Sequence, residues 1–240
     1  MTSPSDTTGT VDSSRSRPAP GTARAALAYP SFRLVFIGLA LSQIGTWMQN
    51  VTLPAYVQDR TSSPALVGVT IAVQLGPLLL FSIPAGALAD KVSKQKLMIA
   101  MQSISVVLTL LTAWLVARDA TLIWLFIAQA GIGTANALNA PAFQASMPLL
   151  VHRSDLPGAI SLNSAMINGT RVMGPVGAAL LASVGLSIPW IFVINAATYL
   201  FFIAALILVK MPDVKADMIV RGWRSLGVGI EIARKRLVLS

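Results

Sequence analysis

The chain has 240 residues, of which 55% are hydrophobic and 11% are charged, and it carries a net charge of +9. A soluble domain ordinarily carries about 25% charged residues to cover its surface, so this composition excludes an ordinary water-soluble protein. The chain has no cysteine and a single histidine, His152. Disulfides, metal sites and histidine acid–base chemistry are therefore not expected, and neither is a cofactor.

A polar tail precedes the apolar part of the chain. Residues 1–30 are rich in Ser, Thr, Pro and Ala, which predicts a disordered cytoplasmic tail. Six apolar segments follow, each near the roughly 20 residues that cross a 30 Å hydrocarbon core as a helix. They predict a six-helix transmembrane domain over residues 31–211, followed by a cytoplasmic linker over 212–240. The six segments are 32–57, 65–88, 97–117, 121–142, 159–184 and 189–209.

The basic residues indicate the orientation. Fifteen of the eighteen Lys and Arg residues lie in the tail or at the very start of the first span, in the loops after the second and fourth spans, or after the sixth span. Only Arg60 and Arg118 lie in the other set of loops, and Arg171 lies inside the fifth span. Cytoplasmic loops carry an excess of Lys and Arg. The chain is therefore predicted to be a multi-pass protein of the plasma (inner) membrane with both termini in the cytoplasm. Because these basic residues lie between apolar blocks, no nucleic-acid partner is expected.

The spans differ in polarity. The third and sixth are almost uniformly apolar, as expected of lipid-facing helices, whereas the first, fourth and fifth carry amides, small residues and a charge. Gly76-Pro77 in the second span and Gly174-Pro175 in the fifth occupy corresponding places in two three-helix units. This pattern predicts an all-α membrane protein whose six transmembrane helices form a 3+3 inverted repeat.

Polar residues recur at helical spacing within three spans. Such faces line a substrate pathway, or they form hydrogen bonds between helices, and the sequence leaves both interpretations open. The pathway candidates are Gln43, Trp47 and Asn50 in the first span, Gln129 and Asn136 in the fourth, and Asn168 and Arg171 in the fifth.

Arg171 is the most informative of these residues. An arginine near the centre of a transmembrane helix costs about 2.5–3.5 kcal/mol on insertion scales. It is interpreted either as a charge that contacts an anion or gates the cavity, or as a structural partner of backbone carbonyls or of Asp90. No Asp or Glu lies inside any span, so a buried proton-carrying carboxylate is not evident.

The loop after the second span carries the clearest motif. Residues 86–97 read GALADKVSKQKL. This run resembles the loop 2–3 signature of the major facilitator superfamily, Gly-x-Leu-Ala-Asp-Arg-x-Gly-Arg-Arg/Lys. Lys91, Ser93 and Gln95 replace the usual Arg, Gly and base, so bidentate pairing by Arg is lost while most of the charge remains. The resemblance implies a cytoplasmic gate formed by Gly86, Leu88, Asp90, Lys91 and Lys94.

Other segments resemble the drug- and siderophore-efflux branch of that superfamily, which includes enterobactin exporters. They are GTWMQ at 45–49, NAPAFQA at 139–145, and the run from LNS at 162 to RVMGP ending at 175. Gly174 and Pro175 resemble the helix-packing antiporter motif of exporters. Two departures weaken the implied mechanism. Ala178-Ala179 stands where paired glycines are common, and Ile127 stands where proton-coupled members carry an intramembrane arginine.

Other six-span classes fit poorly. A water channel needs two Asn-Pro-Ala loops, but residues 139–142 read NAPA, once and in the wrong order. An intramembrane serine protease needs Gly-x-Ser-Gly and a histidine in the membrane, and an ATP-driven exporter needs a phosphate-binding loop. The chain contains none of these, so an enzyme is not expected.

The resemblance implies a secondary active transporter that exports small amphipathic compounds of drug or siderophore type by alternating access. The chain has the length of one six-helix half. Its partners would be the lipid bilayer, a small-molecule substrate, and a second six-helix half in a separate chain or a second copy. The alternative is a truncated or split-gene half that transports nothing alone, or a membrane scaffold.

Overall fold

The computed structural model describes residues 18–211. Within the third helix it leaves undescribed the side chains of residues 82–84, 87 and 89–91. Residues 1–17, the first part of the predicted tail, and residues 212–240, the predicted linker, lie outside the described residues, so both predictions remain predictions.

Every regular element in the described range is helical, which confirms the predicted all-α class. Five of the six long helices match the predicted segments to within a few residues at either end. The fourth extends eight residues past the predicted end at Ala142 and continues through Pro141 and Pro148. Membrane helices tolerate internal proline because neighbouring helices satisfy the freed carbonyls. The helices are α1 Ala23–Leu27, α2 Pro30–Thr61, α3 Pro64–Lys91, α4 Lys94–Ala117, α5 Leu122–Leu150, α6 Leu156–Ser183 and α7 Ile188–Leu208, with a 3₁₀ turn at Arg153–Asp155.

The protein is a multi-pass membrane protein. Five helices are long and apolar enough to cross a membrane, namely α2, α3 through Phe81, α4, α5 and α7. Helix α6 has the length but is not among them. Asn163, Asn168 and Arg171 lower its average hydropathy, and such residues stay in a membrane only where they face protein or water. A sixth span formed by α6 remains a prediction.

The long helices pack as two related sets of three. Helix α2 packs along α7, and the equivalent pair is α5 along α4. Helix α3 packs along α5, and the equivalent pair is α6 along α2. Helices α4 and α7 pack against each other. Exchanging α2, α3 and α4 for α5, α6 and α7 reproduces these main pairings. This is the helix arrangement expected of the predicted 3+3 inverted repeat.

The Gly-Pro pairs lie at equivalent crossings of the two units. A Cβ atom on Gly174 would come within 2.9 Å of the Met48 backbone nitrogen, where α6 crosses α2. A Cβ atom on Gly133 would lie 2.7 Å from the Gln74 carbonyl oxygen and 3.0 Å from Pro77, where α5 crosses α3. Small residues let membrane helices approach closely. These two crossings hold the first helix of each unit against the second helix of the other.

A short N-terminal strap, residues 18–29, lies within the predicted disordered tail but is ordered, since it contains α1 and is attached to the loop between α5 and α6. The Gly21 N–H donates to one Asp155 carboxylate oxygen at 2.9 Å, and the Tyr29 hydroxyl donates to the other at 2.8 Å. Gly21 has a φ of +76°, which favours glycine at this turn. Gly158 leaves room for the strap, since a Cβ atom there would collide with the Thr22 carbonyl group. The strap therefore ties the start of α2 to the start of α6.

Acid is expected to release this strap. The hydrogen bond from Gly21 and then that from Tyr29 lower the pKa of Asp155 below its ordinary value of 3.8. A lowered carboxyl pKa means that docking is stabilised at neutral pH, and that this stabilisation is lost as the pH falls below 3.8 toward the lowered value. Amide hydrogen exchange over residues 21–29, corrected for its intrinsic pH dependence, should rise in that window. Asp155→Asn should show the faster exchange already at pH 7, and Asp59→Asn serves as the control; equal exchange in wild type and Asp155→Asn would contradict the assignment.

Candidate functional site

A cavity of about 190 Å³ lies between α2, α3 and α5. It is near the middle of these helices, and its wall combines five amide side chains and one threonine hydroxyl with one indole ring and small or aliphatic residues. Five of the predicted pathway residues meet there: Gln43, Trp47, Asn50, Gln129 and Asn136. The helical spacing places each set on one face, and the packing of α2 near α5 turns the two faces toward one space.

A second cavity of about 100 Å³ continues from the first toward the predicted cytoplasmic ends of the helices. It lies between α2, α5 and α6, and it shares Gln43, Asn136 and Ala140 with the larger cavity. The two cavities thus form one groove. Along its length it presents neutral amides, which donate and accept hydrogen bonds. The amides that the smaller cavity adds are Asn139, Gln144 and Asn163.

Two buried amide atoms along this groove have no hydrogen-bond partner in the described part of the chain. They are the Gln74 nitrogen Nε2 in the larger cavity and the Asn139 oxygen Oδ1 in the smaller one. Buried polar groups are nearly always paired, so unpaired ones need an explanation. A bound polar molecule or water inside the groove would supply their partners.

Behind the larger cavity, Gln49 is the centre of a buried hydrogen-bond network. Its Nε2 donates to Gln129 Oε1 at 2.9 Å, and its Oε1 accepts from Asn195 Nδ2 at 2.7 Å and from the Thr109 hydroxyl at 3.3 Å. The amides of Gln49, Gln129 and Asn195 are at most 1% exposed. The network joins α2, α4, α5 and α7, so Gln129 both lines the cavity and bonds between helices.

Thr46 extends the network to the cavity wall. Its hydroxyl is 3.0 Å from the Tyr199 hydroxyl, which also accepts from Asn195 Nδ2 at 3.4 Å. Gly45 gives this contact its space, because a Cβ atom there would collide with Asn195 and Thr198. Helices α4 and α7 contribute no residue to either cavity among those described, and their polar residues support the groove from behind.

Arg171 packs against the groove from α6. Its guanidinium carbon lies 5.4 Å from the centre of the Trp47 ring, which is a cation–π contact. Arg171 is exposed and lines neither cavity, whereas Trp47 lines the larger one. Asn168, one turn earlier, is also exposed and donates to the carbonyl of Ser164. These two predicted pathway residues are therefore beside the groove rather than in its lining.

Gln49, Gln74 and Asn195 are not among the residues predicted from the sequence. Gln49 lies two positions beyond Trp47, on the opposite side of α2 from the predicted polar face, and its partners are 60 to 146 residues away. Asn195 stands out in the sequence only as a polar exception in an apolar span. A buried amide in such a span is a signal of a hydrogen-bond partner, because an unpaired amide in hydrocarbon is costly.

The predicted gate motif lies at the turn from α3 to α4. Helix α3 ends at Lys91 and α4 begins at Lys94, so only Val92 and Ser93 separate them. The side chains of Asp90 and Lys91 lie outside the described residues. A Cβ atom placed on Gly86 would have no described atom within 4 Å, Leu88 is exposed and Lys94 is half-buried. The gate assignment remains a prediction.

Gln95 explains one departure from the motif. Where the superfamily signature has a base, the Gln95 amide donates to the Val209 carbonyl at 2.8 Å and to the Leu206 carbonyl at the end of α7. These carbonyls have no partner within the helix, and a side-chain donor satisfies them. Gln95 therefore joins α4 to α7 at the predicted cytoplasmic end.

At the opposite end, Arg60 joins α2 to the loop between α4 and α5. Its guanidinium donates to the carbonyls of Asp119 and Ala120, each at 2.6 Å, and to the Tyr56 hydroxyl at 3.2 Å. Tyr56 in turn donates to the Asp119 carboxylate at 3.2 Å. Gln95 thus ties the two three-helix units together at one end of the bundle, and Arg60 ties α2 to the loop that connects the units at the other end.

The described residues contain no group of three or more metal-ligating side chains. The groove can hold a molecule through amide hydrogen bonds and an aromatic wall. It offers no described carboxylate for proton transfer.

Sequence comparison relates the chain to known membrane proteins. The profile of the transmembrane secretion effector family matches residues 21–224. The staphyloferrin A transporter of Staphylococcus aureus (strain NCTC 8325 / PS 47) is 30% identical over 168 residues, which are 68% of this chain and 41% of that protein. The enterobactin exporter EntS of Shigella boydii serotype 4 is 27% identical over 188 residues, 77% of this chain and 44% of the exporter.

The enterobactin exporter EntS of Salmonella typhi is 25% identical over 187 residues, 77% of this chain and 45% of the exporter. The chain therefore spans less than half the length of these curated relatives. No solved structure matches it. With a family profile that covers most of its length, the chain belongs to the transmembrane secretion effector family of the major facilitator superfamily.

Proposed function

We propose that the chain is the N-terminal six-helix half of a secondary active exporter of small amphipathic compounds, of the drug or siderophore type. The observation that carries the proposal is the amide-lined groove in which five predicted pathway residues meet. A transporter site near the middle of the membrane needs polar groups that fix a cargo and aromatic or aliphatic walls that accept its apolar part. The relatives, a staphyloferrin A transporter and enterobactin exporters, favour a siderophore-type cargo.

The packing supports movement of the six helices as one unit. The close crossings at Gly133 and Gly174 and the buried network around Gln49 join both three-helix units. Alternating access in such folds is largely rigid-body rocking of one bundle against another. Helices α3 and α6 expose large apolar side chains beside the groove, among them Leu79 and Val172. We assign this surface to a second six-helix half, in a separate chain or a second copy.

The orientation follows from charge. We place both termini on the cytoplasmic side of the inner membrane, because fifteen of the eighteen basic residues lie in the tail, loops and linker that share one side of the membrane. The gate motif and the smaller cavity then face the cytoplasm, and the Arg60 cluster faces outward. Cargo would enter the groove from the cytoplasm past the turn between α3 and α4.

Asp90→Asn is expected to reduce transport about tenfold or more without reducing membrane insertion. The carboxylate charge at the end of α3 is removed while the side-chain size is kept, so an effect would come from its pairing with the basic residues of the turn. Efflux rate and the amount of protein in the membrane fraction are measured together. Asp59→Asn is the matched control, because Asp59 lies in the last turn of α2 at the opposite end of the bundle. Normal efflux by the Asp90→Asn protein would remove the gate hypothesis.

Inverted membrane vesicles test the transport proposal. Vesicles that contain the chain together with a second six-helix half should take up a siderophore when an ion gradient is applied, and this uptake should stop when the gradient is collapsed. Vesicles with the chain alone distinguish a self-associating half from one that needs a different partner. Absence of gradient-dependent uptake in both preparations would favour a scaffold or inactive half instead.

A further inference from the structure

The hydrogen bonds behind the larger cavity run in one direction, and a backbone carbonyl of α2 sets that direction. The Thr46 hydroxyl carries a single hydrogen, which it donates to the Ser42 carbonyl at 2.9 Å. At its 3.0 Å contact with the Tyr199 hydroxyl, Thr46 therefore accepts and Tyr199 donates. The Tyr199 oxygen is left as an acceptor, and Asn195 Nδ2 donates to it at 3.4 Å.

The same reasoning carries the direction from α7 to α5. Because Asn195 Nδ2 faces Tyr199, its second hydrogen is available to Gln49 Oε1, which lies 2.7 Å away. Asn195 Oδ1 in turn accepts from the Thr198 hydroxyl at 3.2 Å. Since the oxygen of Gln49 faces Asn195, its Nε2 faces Gln129 and donates to Oε1 there at 2.9 Å. We call this chain of bonds the directed relay; its members are Ser42, Thr46, Tyr199, Asn195, Gln49 and Gln129.

The relay ends on the cavity wall, and it decides which atom of Gln129 the cavity meets. The Gln129 oxygen is bonded to Gln49, whereas its Nε2 makes no hydrogen bond to any described residue. Gln129 lines the larger cavity. The Gln74 nitrogen Nε2 lines the same cavity and also has no partner in the described part of the chain. The wall therefore presents two amide nitrogens, whereas a reversed relay would present the Gln129 oxygen instead.

We propose that Gln49 and Asn195 are positioning residues, which hold Gln129 with its NH₂ group toward the larger cavity. Neither residue is part of the described lining of the two cavities, so both act through Gln129. The inference rests on the proposed function, because it assigns these residues a role in the proposed pathway. Reversal of a single amide in the relay would set two acceptors or two donors against each other, which leaves buried groups unpaired. The helices thus fix the polarity of one wall of the pathway before any molecule enters it.

Nuclear magnetic resonance of the full chain in lipid nanodiscs, with ¹⁵N only in the glutamine side chains, tests this inference. In wild-type protein Gln129 should give one pair of NH₂ signals with a cross peak to water. The NH₂ group of Gln49 should exchange at least about tenfold more slowly than that of Gln129, because a buried, hydrogen-bonded group exchanges only when the structure opens. The signals are assigned by their loss in Gln129→Asn and Gln49→Asn.

Variants of Thr46 test whether the relay sets the orientation. Thr46→Ser keeps a hydroxyl that bonds the carbonyl four residues earlier, so the spectrum should keep one pair of Gln129 signals. Thr46→Val has nearly the same shape and no hydroxyl, which frees Tyr199 to donate to Asn195 and lets the relay reverse. Gln129 should then give two pairs of signals or one broadened pair. Its water cross peak should fall about twofold if the two directions are equally populated.

Tyr56→Phe is the matched control. It removes a hydroxyl that also makes two hydrogen bonds, at the Arg60 cluster and outside the relay, so it should leave the Gln129 signals unchanged. A purely structural Thr46 hydroxyl would lower the unfolding midpoint in Thr46→Val without altering those signals. The inference is overturned by that result, by two pairs of Gln129 signals in wild-type protein, or by a wild-type Gln129 NH₂ group without contact to water.

The outcome is distinguishable from that of the transport proposal, because the spectra require no transport. The expected signals in a chain that exports nothing, alone or with a second half, would remove only the transport proposal. Gradient-dependent export by a protein whose Gln129 oxygen faces the cavity would remove only the positioning role.

Discussion

Gln49→Leu is expected to destabilise the folded chain in detergent by about 2 kcal/mol. The substitution removes three hydrogen bonds that end on one buried side chain, and it leaves Gln129, Asn195 and Thr109 short of a partner. Interhelical hydrogen bonds in membranes average about 0.6 kcal/mol each, so three of them account for this magnitude. For a chain of this length the unfolding midpoint should fall by roughly 4–8 °C. Thermal unfolding of the purified protein in one detergent provides the measurement.

Gln58→Leu is the matched control for this prediction. Gln58 is exposed on the same helix, and its side chain makes no hydrogen bond to any described residue. It should change the midpoint by no more than the equivalent of about 0.5 kcal/mol. A double variant with Asn195→Leu should be less destabilised than the two single variants added together, because both lose the same bond. Equal midpoints for Gln49→Leu and Gln58→Leu would show that the network does not hold the helices.

Gly174→Ala is expected to destabilise the chain by about 2–3 kcal/mol. The added methyl group would collide with the Cβ atom of Trp47 and approach the backbone of Met48, so α6 must move away from α2. Backbone atoms cannot rotate aside as the end of a flexible side chain can. The same displacement moves Trp47, and with it one wall of the groove. The midpoint of thermal unfolding is expected to fall, and thermal unfolding of the purified protein in one detergent provides the measurement.

Gly169→Ala provides the control on the same helix. No described atom lies within 4 Å of a Cβ atom placed on Gly169, so this substitution adds no collision. Alanine favours a helix over glycine by roughly 0.8–1 kcal/mol, and Gly169→Ala should therefore be neutral or stabilising. If Gly169→Ala and Gly174→Ala lowered the midpoint equally, the effect would belong to the helix and not to its crossing with α2.

Local patterns in the sequence are enough to predict the helices and one face of the groove. Apolar length indicates each long helix, and polar residues at helical spacing place Gln43, Trp47 and Asn50 together. Their meeting with Gln129 and Asn136 depends on how α2 and α5 approach each other. That approach is expected from the superfamily resemblance, since spacing within one helix contains no information about its neighbour.

The buried network is not predictable in the same way. Gln49 lies away from the polar face of α2, and its partners are on α4, α5 and α7. Only tertiary packing reveals that one glutamine satisfies three other polar groups. The predicted end of α5 is wrong for a related reason. Pro141 and Pro148 suggest a helix end, but the neighbouring helices allow α5 to continue to Leu150.

Thiol accessibility tests most directly whether the amide-lined groove is a polar pathway. The chain contains no cysteine, so single-cysteine variants need no further substitution. Asn136→Cys places a thiol in the groove, and Ile207→Cys places one on the exposed apolar face of α7. A charged, membrane-impermeant methanethiosulfonate reagent should modify the first at least about tenfold faster in membrane vesicles, because charged reagents enter water-lined space and avoid hydrocarbon. Equal rates, or modification of Ile207→Cys alone, would contradict the account.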